Sequence, residues 1–127
     1  MTVSVFFIID DHEWADDAAT GAIPSELLEA AKRQGGGGRK LLANGEGGFH
    51  TTYSVMPPGY AMAPHRHDVD ELMVVVGGGA TFAGDDRQVR TGDSVVVPAG
   101  VVHSFVCGAD GMQLVTVGRA PARTELI

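Results

Sequence analysis

Residues 59–71 read GYAMAPHRHDVDE, an extended-looking run that carries His65 and His67 two positions apart and Glu71 shortly after. Side chains on a strand alternate between faces, so both imidazoles project from the same side and can reach one point. Glu71 has the same parity, but four extended residues span roughly 13 Å. The Asp68-Val69-Asp70 link must therefore bend if the carboxylate is to join them. A further imidazole, His103, lies on a later apolar segment, just after the turn Pro98-Ala99-Gly100. Neutral imidazoles with one carboxylate suit a single divalent transition metal (iron, manganese, nickel, copper or zinc), whereas calcium or magnesium would call for more oxygen. Each histidine alone reads as an ordinary hydrogen-bonded residue. Only their joint spacing points to a metal.

Outward from this run, short apolar segments alternate with turn signals: Asn44-Gly45, Pro57-Pro58-Gly59, Gly77-Gly78-Gly79, Gly84-Asp85-Asp86, Thr91-Gly92-Asp93 and Gly108 to Gly111. Regular punctuation of this kind predicts an all-β sandwich or barrel from about Lys40 to the C-terminus. The 18 glycines serve mainly as turns. Toward the N-terminus the pattern changes. Val3 to Asp10 (VSVFFIID) is β-branched and aromatic and predicts a strand. An acidic loop with Trp14 as its anchor follows. Ile23 to Gln34 carries the one helical signal: Pro24 suits the first helical position, Leu27, Leu28 and Ala31 share a face, and Lys32 and Arg33 suit the last turn. The tetraglycine Gly35 to Gly38 then ends the helix, as a linker, a lid or a disordered joint. The expected division is residues 1–39 as an N-terminal region and 40–127 as the barrel.

At 127 residues the chain has room for one domain. Its net charge of −7 disfavours nucleic acid and anionic membrane surfaces as partners. Cys107 is the only cysteine, which excludes an intrachain disulfide and a thiolate-rich metal site and fits a reducing, cytoplasmic setting. Val3 to Ile9 is too short to span a bilayer, lacks a preceding basic residue and runs into Asp10 and Asp11, so no signal peptide is expected.

These residues resemble the cupin family. Gly59, His65-Arg66-His67, Glu71 and Gly78 match its first motif in type and spacing, and Gly92, Pro98-Ala99-Gly100 and His103 match its second. The last position of the second motif departs: Cys107 stands where the family usually has an asparagine, which is not a ligand. The resemblance implies an all-β cupin jelly-roll β-barrel of the single-barrel kind, with a metal in its mouth held by His65, His67, Glu71 and His103, and frequent dimerisation; it calls for no organic cofactor. A homodimer through the Val3–Ile9 strand is the expected assembly.

For the rest of the pocket, strand parity leaves alternatives. On residues 49–56 one face carries Tyr53 and the other His50, so each is a pocket or acid/base candidate. Tyr60 and Met62 precede the ligands, Met73 follows Glu71 at its parity, and Phe105 and Cys107 share the parity of His103, giving an apolar wall. Cys107 has no basic neighbour and reads as a small buried filler in place of a nucleophile. Arg66 points away from its flanking histidines, toward a surface ion pair. With few other ionisable groups, the metal itself is expected to carry the reaction on a small molecule. The expected function is a mononuclear non-haem dioxygenase of an enolic or aromatic substrate; the alternatives are a redox-neutral cyclase, isomerase, lyase or decarboxylase, and a non-catalytic binding cupin.

Overall fold

The computed structural model of the chain describes residues 3–127, and its strands are β1 (Gly38–Asn44), β2 (His50–Met56), β3 (Ala61–His67), β4 (Glu71–Phe82), β5 (Arg87–Arg90), β6 (Ser94–Val97), β7 (His103–Gly118) and β8 (Thr124–Leu126). Every strand pairing is antiparallel, within one eight-stranded sheet. The path runs β1-β2-β7-β3-β8, and β4 pairs with β5, β6 and β7. The long strands β4 and β7 each take part in several ladders, so the sheet curls into a jelly-roll barrel instead of lying flat. Met56, Tyr60, Met73, Val75, Phe105, Met112 and Leu114 fill its interior. Fully burying a side chain such as Val75 contributes about 1.5–3 kcal/mol.

The tightest point of the barrel is where β4 crosses β7. Gly78 has φ +62°, and a Cβ there would lie 2.1 Å from the carbonyl oxygen of Gly111. Only glycine permits both that backbone angle and that approach. The ladder register shifts here, between Gly78 and Ala80, which bends β4 around the barrel.

The predicted N-terminal strand does not form. Residues 3–8 are irregular, Ile9–Asp11 make a single 3-10 turn, and Val3, Val5, Phe6 and Ile8 are exposed. High β-propensity makes no strand without a ladder partner, and none of the described residues offers one. The strand through which the expected homodimer would pair is therefore not formed within the single chain.

The helix does form, as α2 (Ser25–Arg33), preceded by a single turn, α1 (Asp17–Thr20). Pro24 sits one position before α2, where its carbonyl accepts bonds from the amides of Leu27 and Leu28. Gln34 ends the helix and fixes it to the barrel: its side-chain amide donates to the Ala61 carbonyl at 3.0 Å and accepts from the Ala61 amide at 2.6 Å. Gly35, Gly36 and Gly37 have positive φ and turn the chain sharply into β1, which starts at Gly38, inside the glycine run. The tetraglycine is thus a tight reversal. Trp14 packs on Gly38 and under the ammonium of Lys40, 4.8 Å from the ring centroid, and the Ala15 amide donates to the Arg39 carbonyl. The acidic loop is anchored by its indole, as the sequence suggests. No helix among the described residues is long and apolar enough to cross a membrane.

Candidate metal centre

His65 lies on β3 directly opposite His103 on β7, and on its other side β3 pairs with β8, where His67 faces Thr124. The ring centroids are 4.1 Å apart for His65 and His103, 5.0 Å for His65 and His67, and 5.2 Å for His67 and His103. One ring nitrogen from each of the three can be chosen so that all lie within 4.8 Å of one another.

The hydrogen bonds select the nitrogens. Nδ1 of His65 lies 2.7 Å from the Ala63 carbonyl and Nδ1 of His103 lies 3.1 Å from the Val101 carbonyl. A carbonyl oxygen only accepts, so both Nδ1 atoms carry the proton and both Nε2 atoms present lone pairs. His67 is tied at the same position, Nδ1 to Thr124 Oγ1 at 3.0 Å. Metal-binding histidines are commonly oriented in this way, through the nitrogen that is not the ligand. The decisive atom is Nε2 of His103, which is buried and has no hydrogen-bond partner. Leaving such a group unmet costs about 1–3 kcal/mol, and a cation at the trio would satisfy it. The donor set fits a first-row divalent metal.

Glu71 stands beside this trio. The Asp68–Asp70 link bends as required: the Asp68 carboxylate accepts from the Arg123 amide at 2.7 Å, and the Asp70 carboxylate from the Ala99 amide at 2.8 Å. The bend delivers the buried Glu71 carboxylate to 3.7 Å from Nε2 of His67. Burial, opposed by the Arg39 charge and assisted by Asp68, raises its pKa to about 7. Burial and then the neighbouring His65 and His103 depress His67 to about 4, and burial likewise lowers His65 and His103. At neutral pH the imidazoles are uncharged, which is the state a metal needs.

The trio opens on a cavity of about 440 Å³, within the ~300–1,000 Å³ usual for small-molecule sites. His65, His67 and Glu71 front it. His103 does not, because its Nε2 is sealed from solvent. Tyr60, Met62, Met73 and Phe105 form apolar wall, as the sequence suggests. On β2, His50, Thr52, Ser54 and Met56 all line the cavity, and Ser54 and Met56 lie opposite the core residues Leu114 and Met112, so this face turns inward; Thr51 and Val55 of the other face also reach the wall, and Tyr53 does not. Cys107 is also outside the wall: it is a buried core residue whose thiol is pushed up to about 11 by burial, which disfavours the thiolate. Tyr60 is buried, and burial raises its phenol above the ordinary value. Arg66 makes the surface ion pair expected of it, a two-pronged contact with Glu125 at 2.9 and 3.0 Å.

Sequence reasoning missed three contributors. Thr124 orients His67 from the last strand, α2 supplies Leu27, Leu28 and Ala31 to the cavity, and Arg39 lines it beside Asp17. The shared face of Leu27, Leu28 and Ala31 was a visible signal of burial, without saying against what. For Thr124 the sequence holds no local signal.

Residues 52–118, more than half of the chain, match the family model described as the cupin domain. The chain belongs to the cupin family. No curated protein gives a significant match to this cupin. Solved structures similar to it include KdgF from Halomonas sp., 22% identical with a TM-score of 0.67, covering 94% of this chain and 96% of that one. An RmlC-like cupin from Shewanella frigidimarina is 23% identical, with a TM-score of 0.64 and 93% of both chains covered. The polyketide cyclase RemF from Streptomyces resistomycificus is 22% identical, with a TM-score of 0.57 and 72% of both chains covered. At these identities the likeness is one of fold.

Proposed function

We propose that this cupin is a metal-dependent enzyme that acts on a small carbonyl or enol compound, holding one divalent transition ion on Nε2 of His65, His67 and His103 with Glu71 as the fourth donor. The observation that carries the reading is the orphaned, buried Nε2 of His103, aimed into a trio whose Nδ1 atoms are all tied elsewhere. When bound, the metal supplies a Lewis acid for a substrate oxygen. The chain supplies the rest. Met62, Met73 and Phe105 exclude water and hold an apolar or aromatic body. His50, on the inward face of β2, is the cavity-lining group outside the proposed ligand set best suited to accept and return a proton at its ring nitrogen.

That placement of His50 favours redox-neutral chemistry, such as a cyclisation, isomerisation or decarboxylation, in which one group both takes and gives a proton. The similarity in fold to a polyketide cyclase is compatible with it. The dioxygenase reading is the second, supported by the mostly apolar wall, which leaves few protein groups to do acid/base work. Metal analysis of the purified chain, followed by turnover of diketones, catechols and keto acids with and without oxygen, tests both. Anaerobic turnover by the zinc-loaded chain that fails in His50→Gln supports the first. Turnover that requires iron and consumes oxygen replaces it with the second. A chain that takes up no divalent metal refutes both.

A further inference from the structure

The ionisable side chains of the cavity wall are nearly all accounted for by the trio and its neighbours. Arg39 is not. Among the described wall residues it alone carries a permanent positive charge. It lies on β1 opposite Ser54 of β2, another wall residue. Its neighbour Lys40 has a different task, donating to the Ile9 carbonyl and covering Trp14 on the outside of the strand. The two basic residues in sequence thus divide between an external clip and the interior.

Arg39 is also held in place. Its carbonyl accepts from the Ala15 amide, and its Nε donates to the Asp17 carboxylate at 2.6 Å. The guanidinium side chain is about three-quarters buried, at 24% relative exposure. An Nε bond to Asp17 uses one edge of the fork and leaves the terminal Nη1 and Nη2 edge, the one that grips a carboxylate with two parallel bonds. Among the described residues no hydrogen bond engages those terminal nitrogens, and neither is a buried atom without a partner, so they are open to the cavity or to solvent. The guanidinium lines the same cavity as His65, His67 and Glu71, so a ligand held by it would share that space with the proposed metal centre.

We infer that Arg39 anchors a carboxylate of the substrate, so that the natural ligand is a small organic acid whose acid group lies on Arg39, whose apolar body lies along Met62, Met73 and Phe105, and whose reactive oxygen faces the histidines. The orientation of the reactive oxygen rests on the function proposed above; the grip on the acid does not. Asp17 is a positioning residue that aims the fork. The N-terminal region, through Asp17 and α2, then takes part in selecting the substrate.

The test is binding of 3-phenylpropanoate and its neutral counterpart 3-phenylpropanamide to the full chain, stripped of metal and held at pH 7, by calorimetry or ligand-observed NMR. The acid is expected to bind at least tenfold more tightly than the amide. In Arg39→Met that preference disappears while amide binding stays as in the parent chain. Arg39→Lys, which keeps the charge but lacks the fork, retains a weaker preference and serves if the methionine variant does not fold. Equal binding of acid and amide to the parent chain, or an undiminished preference in Arg39→Met or Arg39→Lys, overturns the inference. Because these measurements use metal-free protein, a chain that prefers the acid yet takes up no zinc would refute the metal centre and leave the role of Arg39 standing.

Discussion

His65 and His103 face each other across the β3–β7 ladder, Cα opposite Cα, with their rings 4.1 Å apart. Directly opposed residues point to the same face of a sheet, so this register alone carries a histidine from each motif to one spot. A slip of one residue would turn His103 to the outer face. The ladder shifts register between Met62 and His65, just before the pair. The bulge is what sets this alignment.

The two residues differ in what they cost the metal-free protein. Nε2 of His103 is buried without a partner, so His103→Leu should melt, without metal, at or above the parent temperature, despite losing the Nδ1 bond to Val101. The parent chain should gain stability on adding zinc and the variant should not. Thermal melts with and without zinc, paired with metal analysis, check this. A normal zinc response in His103→Leu removes His103 from the metal centre.

Metal affinity should rise with pH and level off near neutrality. Below about pH 7 the buried Glu71 is protonated in the metal-free chain, and binding must expel that proton. His67 does not take a proton until about pH 4, so it competes only in more acid solution. One displaced proton gives roughly a tenfold loss of affinity per pH unit below 7. Glu71→Gln should flatten that slope between pH 5 and 7. Zinc competition titrations across this range measure it.

Thr124 would act on a metal bound at the trio only through His67, whose Nδ1 it holds at 3.0 Å. Replacing such an orienting partner typically weakens metal affinity about 10–100-fold. Thr124→Val preserves shape and strand propensity, so the loss should show in zinc affinity and hardly in the melting temperature of the metal-free chain. Arg66→Ala, which removes only an exposed ion pair with Glu125, should hardly change stability and leave zinc affinity unchanged.

Gly78→Ala should be far more damaging than its size suggests. The new methyl would sit 2.1 Å from the Gly111 carbonyl, at a φ of +62°. Strain of this kind costs on the order of 1–3 kcal/mol for the backbone angle alone, and the clash adds to it. Chemical denaturation should show a loss of at least about 2 kcal/mol. Gly84→Ala, where φ is also positive but nothing lies within 4 Å, should cost less.

The histidine spacing and the run of turn residues were enough to predict an all-β sandwich or barrel carrying a histidine cluster, because those signals are local: a strand's period of two and a glycine's tolerance of positive φ are written in neighbouring residues. The jelly-roll form and the proposed ligand set came from the resemblance of two spaced motifs to the cupin family. The same local logic failed at Val3–Asp10, where strand propensity is high but none of the described residues offers a ladder partner. It also left His50 and Tyr53 undecided, since the period of a strand separates two faces without saying which one meets the core. Tertiary structure settled that by pairing β2 with β1 and β7. It alone brought Thr124 from the last strand to His67, and Arg39 and α2 to the cavity. Those contacts join residues far apart in the chain, and their register is set by the closing of the barrel, which no short stretch of sequence encodes.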